Sequence, residues 1–142
     1  MNNERIKLLA DTLRSGKYKQ GLNRLWVPGE GHCCWGVACD LHAAETATAW
    51  EVEGRYAYYL GERSTPSDVI IAWMGLDEVE VNISLLPERF SVMRNPTYQY
   101  DVTDVSNAMI NGNDHGLSFI DIADFLDGIL DGSIPVITPQ EA

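Results

Sequence analysis

The sequence predicts an α+β fold, a single two-layer domain with about four helices and four to five mainly antiparallel strands. Three observations carry this expectation. Apolar residues recur at helical spacing in several segments, they alternate at strand spacing in others, and the two kinds mix without the strict strand–helix repeat of a doubly wound sheet. The 142 residues fall near the commonest size for one domain. At 45% hydrophobic positions the chain holds enough apolar side chain for a core, which excludes a disordered protein.

The elements follow in order. Ile6, Leu9 and Leu13 predict a helix over 3–14, ended by Ser15-Gly16. Tyr18 to Val27 reads as a strand or extended arm before the turn Pro28-Gly29-Glu30-Gly31. Cys33 to Ala44 is apolar nearly all round, which predicts a central, buried helix. Two strands follow, Thr46 to Glu53 and Arg55 to Gly61, joined at Gly54. Ser64-Thr65-Pro66-Ser67-Asp68 announces a helix that runs to about Met74 and stops at Gly75. Val79, Val81, Ile83 and Leu85 alternate with polar residues, so Glu78 to Leu85 is predicted as a half-buried strand. Phe90 to Met93 and Tyr98 to Val102 are further strand candidates. A short helix over Asp104 to Ile110 is expected to end in a turn, Asn111 to Gly116. The last helix begins at a Ser118 cap with Asp121 three residues on and closes at Gly132. The domain therefore spans 1–132, and 133–142, with two prolines, is expected to be a loose tail.

Charge narrows the function classes. The net charge is −11, and it is unevenly placed. Residues 1–71 carry eight Lys and Arg against nine Asp and Glu, whereas residues 72–142 carry two against twelve. Residues 1–24 reverse the sign, with six cations against two acids. Such a molecule repels phosphate over most of its surface, so duplex nucleic acid is not an expected partner. No apolar run reaches the roughly 20 residues of a membrane span, and the polar start lacks a secretory leader, so a cytoplasmic protein is expected.

Cys33, Cys34 and Cys39 are three thiols within seven positions, an odd set that predicts reduced cysteines. Cys33 or Cys34 beside His32, at the start of a helix, has the ingredients of a cysteine enzyme, whereas a thiol among Trp35, Val37, Ala38 and Leu41 reads as core. Cys39 and His42 are a helix-compatible pair without the second pair a structural zinc site uses. The Asn111–Gly116 stretch imitates a calcium loop but places His115 at its fifth position and Ile122 at its twelfth. Asp121, Asp124, Asp127 and Asp131 fit a solvated helix face. No metal or cofactor is expected.

The candidate binding residues are Lys17, Tyr18, Lys19, Gln20, Arg24 and Trp26. If the arm is a regular strand, Lys17 and Lys19 share one side and Arg24 and Trp26 share a side. Cations beside aromatic rings suit a nucleotide-like ligand, because phosphates meet Lys or Arg while a base stacks on Trp or Tyr. Trp50, Tyr56, Tyr58 and Tyr59 make the following hairpin aromatic on both faces, which implies burial on both sides or a patch that takes a ligand or subunit.

Four blocks carry a resemblance. Ser15 to Gln20 (SGKYKQ), His32 to Leu41 (HCCWGVACDL), Ala72 to Leu76 (AWMGL) and Asn113 to Asp124 (NDHGLSFIDIAD) are similar, in that order, to a family of small uncharacterised bacteriophage-encoded proteins. That family shows an SGKYKQ arm, a CCLGV-C-D helix, a helix ending in WLGL and a C-terminal ND-G-SF-EIAD block. This chain departs from it at Trp35, where leucine is usual, and over Val79 to Tyr100. The resemblance implies a context and no reaction: a phage accessory protein in a host bacterial cytoplasm, of the kind that counters host defence. The expectation is therefore a non-enzymatic protein that sequesters a small anionic, nucleotide-like ligand. The alternatives are an acidic inhibitor that docks on a host protein and a cysteine-dependent enzyme, with homo-oligomerisation left open.

Overall fold

Helix α1 (Asn3–Arg14) begins where the Asn2 side chain accepts the Arg5 amide at 3.1 Å, and it turns Ile6, Leu9, Ala10 and Leu13 inward. A computed structural model of the chain describes residues 1–94 and 101–139. An arm leads to a short antiparallel hairpin, β1 (Trp26–Val27) and β2 (Gly31–His32), and then to helix α2 (Cys34–Thr46). Cys34 to Cys39 and His42 are all buried, as a helix without a polar face requires. Next come the hairpin β3 (Glu51–Glu53) and β4 (Tyr56–Tyr58) and helix α3 (Asp68–Trp73), capped by Ser67. Strand β5 (Glu80–Asn82) is central in an antiparallel sheet between β6 (Val102–Asp104) and β7 (Val136–Ile137). Helices α4 (Val105–Asp114) and α5 (Phe119–Asp131) complete the chain. α5 packs along α1, while α1, α3 and α4 surround α2, so one hydrophobic core joins all five.

The fold is thus α+β with antiparallel strands, and four of its helices have ten residues or more. The strands are spread over three small sheets, so helix packing builds most of the core. The capping box at Ser118 and Asp121 is present in both directions, and Gly132 closes α5 in the left-handed conformation.

Several segments depart from the sequence reading, each for a local reason. The strand expected over Glu78 to Leu85 stops at Asn82, whose side chain accepts the Ser84 amide at 3.0 Å and starts a 3-10 turn over Ile83–Leu85. That turn swings Leu85 to the surface, 71% exposed, instead of beside Val81. The strand candidate over Phe90 to Met93 is instead part of a 3-10 segment, Glu88–Met93, where a spacing of three eclipses side chains and buries Phe90 and Met93 on one side. Of the strand expected over Tyr98 to Val102, residues 98–100 lie outside the described residues, and Val102 opens β6. The expected loose tail is corrected: Ile134 is buried and Val136–Ile137 pair with β5. Apolar Ile134, Val136 and Ile137 outweigh their flanking prolines there.

The expected turn Asn111 to Gly116 is helical through Asp114. Gly112 lets α4 press on the Leu117 and Met93 side chains, and Asn113, which is fully buried, replaces turn hydrogen bonds with tertiary ones. Its Oδ1 accepts the Cys34 amide at 3.2 Å and the Gln20 amide at 3.0 Å, while its Nδ2 donates to the Gly21 carbonyl at 2.9 Å. The Cys33 side chain gives α2 no cap, so Asn113 serves the exposed amide end of that helix from another element.

Candidate functional site

The thiols are interior. Cys33, Cys34 and Cys39 are buried, and burial pushes the Cys33 thiol up to about 11 and the other two above their usual range. The imidazoles are engaged elsewhere: His32 Nε2 lies 3.4 Å from Asp40, and His42 Nδ1 lies 2.7 Å from the Tyr59 hydroxyl. Burial disfavours a thiolate at each of the three cysteines, and neither imidazole is engaged with a thiol. A mild aromatic disulfide reagent is therefore expected to label the folded protein only as fast as it unfolds and to release three equivalents in denaturant. One equivalent reacting at free-thiol speed would overturn this assignment.

No cluster of three or more His, Cys, Asp or Glu side chains that could hold a metal occurs among the described residues. The aspartates of α5 are not simply solvated. Arg14 bridges Asp124 and Asp127, Arg89 bridges Asp121 and Asp124, and Lys7 reaches Asp127 at 3.6 Å. Hydrogen bonds from Arg14 and then Arg89 hold the Asp124 carboxyl below its ordinary range. Part of the N-terminal basic cluster is thereby spent on the acidic half of the same molecule.

The arm is not a regular strand. It bends through Asn23 at φ 64°, and it is strapped to β2 by Gly21 N–H to His32 O (2.7 Å) and His32 N–H to Lys19 O (2.9 Å). Its six candidate residues consequently part company. Lys17 is exposed on the turn after α1, away from the cavity described below. Tyr18 packs edge-on against His32, and burial followed by the nearby Asp40 carboxylate pushes its hydroxyl up to about 12. Gln20 lines the second cleft and also serves as a structural clasp. Its Nε2 donates to Asn113 Oδ1 (3.0 Å) and Leu117 O (2.8 Å), and its Oε1 accepts the Phe119 amide (3.1 Å). Arg24 and Trp26 line one cavity, and Lys19, Gln20 and Arg24 line a cleft beside it.

Arg24 and Trp26 flank the buried Leu25, whose amide donates to the Arg63 carbonyl at 2.7 Å. That bond brings the end of the arm beside the β3–β4 hairpin. Between them lies a cavity of about 180 Å³, lined by Arg24, Trp26, Glu30, Arg55, Tyr56 and Arg63 over Val27 and Ala57. The Arg63 guanidinium stands 4.9 Å above the Tyr56 ring. Arg24 Nη1 donates to Asn23 O at 2.8 Å. Among the described residues none of these three arginines makes an ion pair. A second cleft of about 350 Å³ adjoins it, lined by Lys19 and Gly21 and sharing Arg24, Val27 and Glu30.

Behind the cavity Trp26 is held by an aromatic stack. Its ring lies parallel to His32 (5.3 Å between centroids, 13°) and edge-on to Trp50 (5.2 Å). Asp40 anchors the stack by accepting Trp50 Nε1 at 2.7 Å and lying 3.4 Å from His32. Burial alone would raise the Asp40 carboxyl, but hydrogen bonds from His32, Trp50 and Tyr18 outweigh it and hold the group below its usual range. The Trp26 plane is therefore fixed before any ligand arrives, which spares a ligand the cost of ordering it.

Residues 1–130 match the family model described as Domain of unknown function (DUF8296). The chain belongs to the DUF8296 family. No curated protein and no solved structure matches it. The matched span contains every residue that lines the cavity.

Sequence reasoning missed Arg55 and Arg63 in this DUF8296 chain, and it placed Tyr56 in an aromatic hairpin without joining it to Arg24 and Trp26. A usable signal was present: between residues 25 and 88 those two arginines are the only cations, and they bracket a tyrosine-rich hairpin.

Proposed function

We propose that this protein is a non-enzymatic binding protein that captures a small anionic ligand carrying a planar ring, nucleotide-like in chemistry, in the Arg24–Arg55–Arg63 cavity. One observation carries the reading: in a chain of net charge −11, three arginines that form no ion pair among the described residues converge on a cleft walled by Trp26 and Tyr56. Guanidinium groups bind phosphate and carboxylate through charge-assisted, often bidentate hydrogen bonds, and the rings offer stacking faces. In the bacteriophage context that the resemblance implies, such a protein acts as an accessory factor in the host cytoplasm, withdrawing a nucleotide signal from host defence.

Trp26 supplies the readout. Binding of a nucleotide is expected to change tryptophan fluorescence, and Arg24→Ala/Arg55→Ala/Arg63→Ala is expected to weaken it by 100-fold or more, since each charge-assisted bond contributes about 1.5–3 kcal/mol. A triple variant that binds as tightly as the wild type would sink the assignment.

A second reading, an acidic inhibitor of a basic host protein, draws on a different surface. Glu80 stands directly opposite Asp104 in the β5–β6 register, and Glu78 joins them along one cleft, a like-charge arrangement that costs stability and that a cationic partner relieves. The same triple variant separates the two readings, because it abolishes ligand capture under the first and leaves docking intact under the second.

A further inference from the structure

We infer that Glu30 makes the cavity selective for a ring presenting two adjacent N–H donors, which among the common nucleobases is the edge of guanine. This inference rests on the anion-pocket reading and refines it. Among the described residues Glu30 is the one carboxylate lining the cavity, and its side chain makes no hydrogen bond or ion pair there. Its backbone amide closes the β1–β2 turn onto Val27 O at 2.9 Å, while its side chain is exposed and forms no ion pair with Arg24, Arg55 or Arg63 among the described residues. It also lines the adjoining cleft that holds Lys19, so it stands where the two compartments meet.

A carboxylate in an anion site weakens phosphate binding unless the ligand has something for it to accept. Its two oxygens accept a parallel pair of N–H bonds. Guanine offers such a pair at N1 and the exocyclic N2. Adenine and cytosine each place one amino donor beside a ring-nitrogen acceptor, which would set a lone pair against a carboxylate oxygen. Uracil has a single N–H between two carbonyls. The charges agree, because three guanidiniums against one carboxylate leave two positive charges for a phosphomonoester dianion. Trp26, with its plane already fixed by His32, and Tyr56 supply the faces on which the ring rests.

Tryptophan fluorescence titration with GMP, IMP, AMP and CMP tests this. GMP is expected to bind about tenfold more tightly than AMP, the discrimination a good bidentate pair provides. IMP, which keeps N1–H and lacks the amine, should fall between them. Glu30→Gln should bring GMP down to the level of AMP while AMP binds as well as before or better, and that retained AMP binding proves the variant folded. Equal affinity of the wild type for all four nucleotides, or an unchanged GMP-to-AMP ratio in Glu30→Gln, overturns the guanine inference and leaves the anion pocket standing. Binding of none of the four by the wild type overturns both.

Discussion

Gly36→Ala is expected to destabilise the fold by about 3 kcal/mol or more, the upper range for overpacking against atoms that cannot yield. At an exposed helix position the same change stabilises by up to about 1 kcal/mol, so even the sign is diagnostic. Gly36 lies in α2 where that helix touches the backbone of Leu25. An added Cβ would lie 2.7 Å from the Leu25 carbonyl carbon and closer still to its oxygen. Retreat is blocked, because that carbonyl accepts the Cys33 amide at 3.1 Å and the Leu25 amide is held by Arg63 at 2.7 Å. Leu25 itself is buried, and its chain neighbours are Arg24 and Trp26. The damage should therefore reach the cavity: a melting temperature about 10 °C lower is expected for a chain of this size, together with weakened ligand binding. Thermal denaturation by circular dichroism checks it, and a melting temperature within 2 °C of wild type would show that the approach of α2 to the arm is looser than described.

Asn113→Ala should cost about 3 kcal/mol for a different reason. Its amide holds four partners: the Cys34 amide, the Gln20 side chain, the Gly21 carbonyl and the Asp114 side chain at 3.2 Å. Removal strands the buried helix-terminal N–H of Cys34, at a cost of about 1–3 kcal/mol, and takes the partner from the half-buried Gly21 C=O as well. Asn113→Asp sharpens the test, since it keeps shape and one acceptor but turns the second oxygen toward Gly21 O and Asp114. Burial and the facing Gly21 O and Asp114 raise the folded-state pKa of the introduced carboxyl above its unfolded one, against the Cys34 and Gln20 donors that its other oxygen keeps. Its destabilisation should be large at pH 7 and shrink as pH falls through the folded pKa and the group protonates. Urea denaturation at pH 7 and pH 5 measures both variants, and a stability loss below 1 kcal/mol in Asn113→Ala would remove the residue from this central role.

These two residues show where the sequence was legible and where it was not. Helices α1 and α5 were readable to within a residue because their apolar spacing, caps and closing residues all point the same way. The burial of Cys33 to Cys39 followed equally from a segment without a polar face. Asn113 was read as a turn residue because its neighbours Gly112 and Asp114 favour turns, and only its distant partners make it a buried helical one. The structural share of Gln20 was hidden on the same ground, since an amide next to an exposed lysine looks free until Asn113, Leu117 and Phe119 close around it.

The cavity divides along the same line. Arg24 and Trp26 were foreseeable as cation and ring two residues apart, whereas Arg55, Tyr56 and Arg63 join them through the Leu25–Arg63 backbone bond. The amino-acid order alone determined the fold class, the interior thiols and the excess of acid, since these depend on periodicity and composition. Which cations stay without an ion pair among the described residues was settled only by the tertiary structure. Arg14, Lys7 and Arg89 fall beside the aspartates of α5 and are neutralised, while Arg24, Arg55 and Arg63 fall beside one another. Ion pairing acts over a few ångströms of space and takes no account of distance along the chain.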